Sequence, residues 1–146
     1  MVDVRSEVLE ALRGYAVAYQ DAGHAFARAM ELPATDGLAL GELLYAQRCG
    51  APLSPAGLSR RMSMTSGATN ALVNRLEARG LVTRSREHDD RRIVTLRPTA
   101  AAHERANAFY GPQGEALEAA LASYDADELA RVRDFLVRFA GILPRD

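Results

Sequence analysis

The sequence predicts a mainly α-helical chain with one small β-hairpin, and three observations predict it. Apolar residues recur at helical spacing both before and after residues 54–97. Inside that stretch two short helices precede two β-branched runs, and the runs flank a charged turn. Two helices followed at once by a hairpin form the winged helix-turn-helix arrangement. The expected architecture is a single domain of 146 residues. Its winged helix-turn-helix core occupies about 36–97, flanked by N- and C-terminal helices at about 4–32 and 99–144.

From residue 4 to about 31, Val4, Val8, Leu12, Tyr15, Tyr19, Ala22, Phe26 and Met30 lie three or four apart, one continuous helical stripe. Pro33 ends it, and Thr35 or Asp36 opens the next helix, which carries Leu40, Leu43, Leu44 and Gln47 to Gly50. Ser54 before Pro55 starts a third helix, running to about Met62. The hydroxyl caps orphan N–H groups, and proline suits the first helical position because it has no N–H to leave unpaired. A fourth start follows at Thr65-Ser66. From there Thr69, Leu72, Val73, Leu76 and Leu81 mark a buried stripe, and Gly80 stops the helix.

Leu81-Val82-Thr83 and Ile93-Val94-Thr95-Leu96 are the expected strands, with Arg84 to Arg92 between them. Pro98 cannot donate to a ladder and should end the hairpin, while Thr99 can cap a helix reaching about Tyr110. A break is expected at Gly111-Pro112-Gln113-Gly114, after which Leu117 and Leu121 resume the helix. Asp125 with Glu128 reads as a capping box, opening a last helix on Leu129, Val132, Leu136, Phe139 and Leu143.

The outward face of the fourth helix carries the functional signal. Gly67, Asn70, Ala71, Asn74 and Ala78 point away from its apolar stripe, with Ala68 and Arg75 at the margins. Small and amide-bearing, with no acid before Glu77, it can lie close to another surface; asparagine reads adenine in the major groove. An ordinary solvated face is the other reading, and the hairpin decides against it. In winged proteins one helix enters the major groove and the wing reaches phosphate or minor groove. Charge agrees. Residues 54–97 hold nine arginines against four acids, or +5, whereas the whole chain carries −1, so the remainder sums to −6. All 18 basic residues are arginine, which a codon bias explains as readily as DNA contact.

Leu76-Glu77-Ala78-Arg79-Gly80-Leu81-Val82, followed by Asp89-Asp90-Arg91-Arg92, resembles the signature of the MarR family of bacterial transcriptional regulators. The pattern from Leu58 through the wing covers about a third of the chain, and the flanking helices fit the family's order. Two positions depart from it. The family follows its second wing strand with Leu-Thr and a glycine three residues on, where this chain has Pro98-Thr99 and Ala102.

The terminal helices carry more apolar stripe than a small winged core can cover. Phe26, Phe109, Leu121, Phe135, Leu136 and Phe139 need each other or a second subunit. A two-fold homodimer is the expected solution, and it sets two recognition helices roughly 34 Å apart on a palindrome. Dimerisation through terminal helices is also what the resemblance implies. Relatives bind small aromatic or phenolic anions between those helices and the winged core. Tyr15, Tyr19, His24 and Phe26 are the candidate contacts here, core packing being the other reading of that stripe.

No HExxH, GxSxG, Walker or dinucleotide fingerprint is present, so no enzyme is expected. His24, His88 and His103 show no metal-ligand spacing to each other or to Cys49, so neither metal nor cofactor is expected. Cys49 reads as structural and cannot form an internal disulfide. The start shows no leader pattern and no run reaches membrane-spanning length, so a cytoplasmic location is expected.

The expectation is therefore a homodimeric, ligand-responsive repressor that binds palindromic duplex DNA. Asn70, Asn74 and the backbone at Gly67 meet base edges, and Arg60, Arg61, Arg75 and Arg84 meet phosphates. Asp90 holds Arg92 toward the minor groove, and Ser66, Arg86 and Arg91 complete the surface. The rival is a dimeric winged-helix module that binds ligand or protein without DNA.

Overall fold

Capping chemistry sets the helix boundaries of the computed structural model, which describes residues 3–144. Among these residues the helices are α1 (Val4–Ala29), α2 (Ala34–Arg48), α3 (Pro55–Arg61), α4 (Ser66–Ala78), α5 (Ala100–Leu121) and α6 (Ala126–Ala140). Strands β1 (Val82–Ser85) and β2 (Thr95–Pro98) lie between α4 and α5. Ser54 accepts from Gly57 N–H at 3.0 Å, and Thr65 accepts from Ala68 N–H at 3.2 Å. Gly80 is left-handed at φ 70°, which lets its N–H reach Glu77 O and lets Leu81 N–H reach Leu76 O. That pair of bonds is a Schellman stop, and it aims Leu81 back at the core.

The chain divides between Phe109 and Tyr110 into two compact units. The first holds the core: Phe26 and Met30 from α1, Leu40 and Leu43 from α2, Leu58 from α3, and Leu72, Val73 and Leu76 from α4. Leu81, Val82 and Leu96 of the hairpin and Ala102 and Ala106 of α5 close it. Each large side chain removed from water contributes roughly 1.5–3 kcal/mol. α1 and α2 approach closely where Gly37 faces Ala27, since a Cβ on Gly37 would stand 2.3 Å from the Ala27 Cβ. In the second unit α6 opens with the expected capping box, its two bonds measuring 2.8 and 2.9 Å. It buries none of its residues, and the rings of Phe135 and Phe139 stack at 4.3 Å.

Three expectations are corrected. α5 runs unbroken through Pro112. Proline forfeits one N–H bond and crowds the carbonyl four residues back, but its fixed φ is a helical value, and the turns on either side carry the helix across. The second strand begins two residues later than the β-branched run, because Ile93 N–H bonds Asp90 O within the wing turn. It ends on Pro98, paired with Val82, and Thr99 N–H then bonds Leu81 O. The predicted cap at Thr99 is made, with its Oγ1 accepting from Ala102 N–H at 3.2 Å. Asp36 does not cap α2, whose N-cap position is Pro33; its carboxylate is buried in a tertiary ion pair. Among the described residues no helix is long and apolar enough to cross a membrane.

Candidate nucleic-acid interface

Burial on one side of α4 creates the surface on the other. Thr69, Leu72, Val73 and Leu76 are buried, so Gly67, Asn70, Ala71, Asn74 and Ala78 face outward. Thr69 satisfies its own hydroxyl within the helix by donating to Thr65 O at 2.8 Å. The turn joining α3 to α4 is tight. Ser63 is left-handed at φ 51°, Met64 N–H bonds Ser59 O at 3.0 Å, and Ser59 Oγ donates to Met64 O. This turn sets an open cleft between the two helices, lined by Pro55, Ala56, Ser59, Arg60, Ser66 and Asn70. Predicted contacts Arg60, Ser66 and Asn70 are thus brought together.

The wing is braced by ion pairs. Arg92 gives its backbone N–H to Asp90 Oδ1 at 3.0 Å, its Nε to the same oxygen at 3.1 Å and its Nη2 to Oδ2 at 3.0 Å. The Arg92 side chain stays 91% exposed, and its guanidinium holds the Asp90 carboxyl below the usual carboxylate range. Glu87 accepts from Arg97 across the hairpin and from Ser85 at 2.8 Å; the Arg97 bond, then the Ser85 bond, push its carboxyl down. Arg86 and Arg91 each donate to the other's backbone carbonyl across the tip.

Three of the expected phosphate-binding arginines already have acids within the chain. Arg61 pairs with Glu42 at 2.9 Å, and Arg84 pairs with Glu77. Arg75 makes a two-pronged bond to Asp36, at 2.9 and 2.8 Å. Sequence reading missed Asp36, Glu77, Glu87 and Arg97 as partners. Asp36 and Arg75 are 39 residues apart, too far for any local pattern to couple them. The opposite charges at Glu77 and Arg84 were legible, but not that the chain turns back between them.

The four candidate ligand contacts lie on α1 and differ in burial. Phe26 is a core residue, its ring 5.6 Å from Phe109. Tyr15 and Tyr19 are 67% exposed with ring centroids 6.2 Å apart, and His24 is exposed on the same helix. Cys49 is a free thiol, exposed where α2 ends, so it packs no core. Its bond to the Tyr45 hydroxyl raises the pKa of that tyrosine.

The model of the MarR family matches residues 31–93, the span from the end of α1 to the wing turn. Over that span the chain is similar to the MarR family. The family signature has a physical meaning in this fold: Leu76 to Val82 is the Schellman stop that feeds β1, and Asp89 to Arg92 is the braced wing turn. Over 95 residues the chain is 28% identical to the uncharacterized HTH-type transcriptional regulator YcgE of Bacillus subtilis, covering 65% of this chain and 62% of that relative. A MarR family protein from Bacillus stearothermophilus shares the fold at 22% identity, with 97% of each chain covered and a TM-score of 0.63. The transcriptional regulator Tm0710 of Thermotoga maritima does so at 21% identity, 93% coverage of each chain and a TM-score of 0.61. The MepR–DNA complex of Staphylococcus aureus matches at 16% identity, 92% and 94% coverage and a TM-score of 0.62.

Proposed function

We propose that this chain is a MarR-like, sequence-specific DNA-binding regulator that represses transcription as a homodimer on a palindromic operator. One observation carries the reading. An outward face of Asn70, Asn74 and Gly67 on α4 stands in the same unit as a wing whose Arg92 is exposed and braced by Asp90. Asparagine amides suit adenine edges, and an exposed guanidinium suits phosphate or a narrow minor groove. Arg60, beside Ser66 and Asn70, supplies a further phosphate contact. The DNA-bound MepR is a protein of this fold, which supports DNA as the partner.

Homodimerisation is supported by apolar surface left in water in each unit. α1 exposes Val4, Leu9, Tyr15 and Tyr19, and α6 exposes Val132, Leu136 and Val137. A small aromatic anion, held by Tyr15, Tyr19 or His24, is the proposed class of inducer. Selection of bound sequences from a random duplex pool, followed by gel shifts on fragments flanking the chain's own gene, tests the reading. A two-fold repeat should emerge from the selection. Failure to retain any duplex would leave the rival, a winged module that binds ligand or protein only.

A further inference from the structure

We infer that Asp36 and Arg75 are a positioning pair, which sets the reading helix α4 against the start of α2 and does not itself bind phosphate. The inference rests on the DNA-binding function proposed above. Its basis is a juxtaposition: a carboxylate with a 2% exposed side chain takes both prongs of one guanidinium from the reading helix. Arg75 uses Nε and Nη2 for that grip, and its side chain is 52% exposed at the margin of the reading face. Asp36 lies in the first turn of α2, where the helix's positive end favours a carboxylate.

A buried acid whose partner is removed loses its compensation, so Arg75 is held there and is not at liberty to swing to a phosphate. One turn along α4, Arg79 reaches the other end of the same connection, donating to Glu31 O at 2.7 Å. Glu31 is left-handed at φ 58° and stands just beyond α1. Two arginines a turn apart thus span the seven-residue step from Met30 to Asp36 and tie α4 to it. Asn74 is the neighbour of Arg75, so a small turn of α4 on this tether would misdirect its amide.

Phosphate contact and positioning predict opposite results. Arg75→Lys, Arg75→Gln, Asp36→Asn and the double variant Asp36→Asn with Arg75→Gln would be measured on the selected duplex and on random duplex. Each would be run at several salt concentrations, with thermal melting to establish folding. For a positioning pair, both single neutral changes weaken the selected duplex by about tenfold and random duplex little. The double variant, with the wild-type net charge, is no weaker than either single and keeps the wild-type salt slope. Lysine does not rescue, because an ammonium cannot make the fork.

If Arg75 instead holds a phosphate, lysine retains binding, Asp36→Asn tightens binding to both duplexes, and the double variant loses about 0.9 of salt slope per protomer. Those results would overturn the assignment while leaving the DNA-binding function intact. Should the Asp36 variants fail to fold, Arg75→Lys decides alone, since it keeps a cation beside Asp36. Wild-type protein that retains no duplex would overturn the proposed function, and this assignment with it.

Discussion

At the scale of single residues, the proposed function assigns charge and discrimination to different side chains. Arg92→Ala removes one exposed cation from each wing of a dimer. It should weaken binding to all duplexes and flatten the salt slope by about 1 to 2, because each phosphate contact releases counterions. Asn74→Ala removes no charge. Its salt slope should match wild type, with a loss of roughly 1–3 kcal/mol per half-site on the preferred sequence and little on random DNA. Equal weakening of both duplexes by Asn74→Ala would show that this face does not read bases.

The Asp90 brace has its own pH signature. A carboxyl depressed in the folded state contributes stability that is present above its unfolded value and lost as pH falls through the folded value. Asp90 is depressed by the Arg92 side chain first and its backbone N–H second. The brace should therefore hold at neutral pH and open only in acid, below the ordinary aspartate range. In an NMR titration the Arg92 amide should follow the Asp90 carboxyl, and Arg92→Ala should move that midpoint upward. An unchanged midpoint would remove the brace from the account of the wing.

At the scale of elements, two glycines and a proline give predictions of opposite sign. Gly80 has open space around it, so its requirement is purely conformational. Gly80→Ala should destabilise by about 1–2 kcal/mol, the cost of a left-handed alanine, and Gly80→Asn by less. Gly37 has an ordinary backbone and no room. Gly37→Ala should cost about 1–3 kcal/mol through overpacking against Ala27. Pro112→Ala should stabilise, by up to about 3 kcal/mol, by restoring a helical N–H within α5. Urea melts of the three variants check all of this. A destabilised Pro112→Ala would mean that the proline serves a packing purpose the helix alone does not reveal.

At the scale of the whole molecule, the proposed homodimer would cover apolar residues that α1 and α6 leave in water. Sedimentation of the full chain at micromolar concentration should show a dimer, and truncation after Tyr124 should give monomer or aggregate. A monodisperse full-length monomer would refute the assembly and, with it, a two-fold operator.

What the sequence determined by itself was whatever depends on neighbours within a few positions. Ser54, Thr65 and Thr99 cap within three residues, Asp125 and Glu128 cap each other, and Asp90 braces Arg92 two residues on. The alternation of buried and exposed positions on α4 follows from helical geometry, so its outward face could be drawn from spacing alone. Only the tertiary structure decided which charges are already spoken for. Asp36 looked like a helix opener and Arg75 like a phosphate ligand, because the fold that joins them across 39 residues leaves no trace in either segment. It also decided that Phe26 is core while Tyr15 and Tyr19 are not, although one stripe carries all three. A stripe records which residues share a face of a helix; how far along that face another element covers it is settled by where the rest of the chain folds.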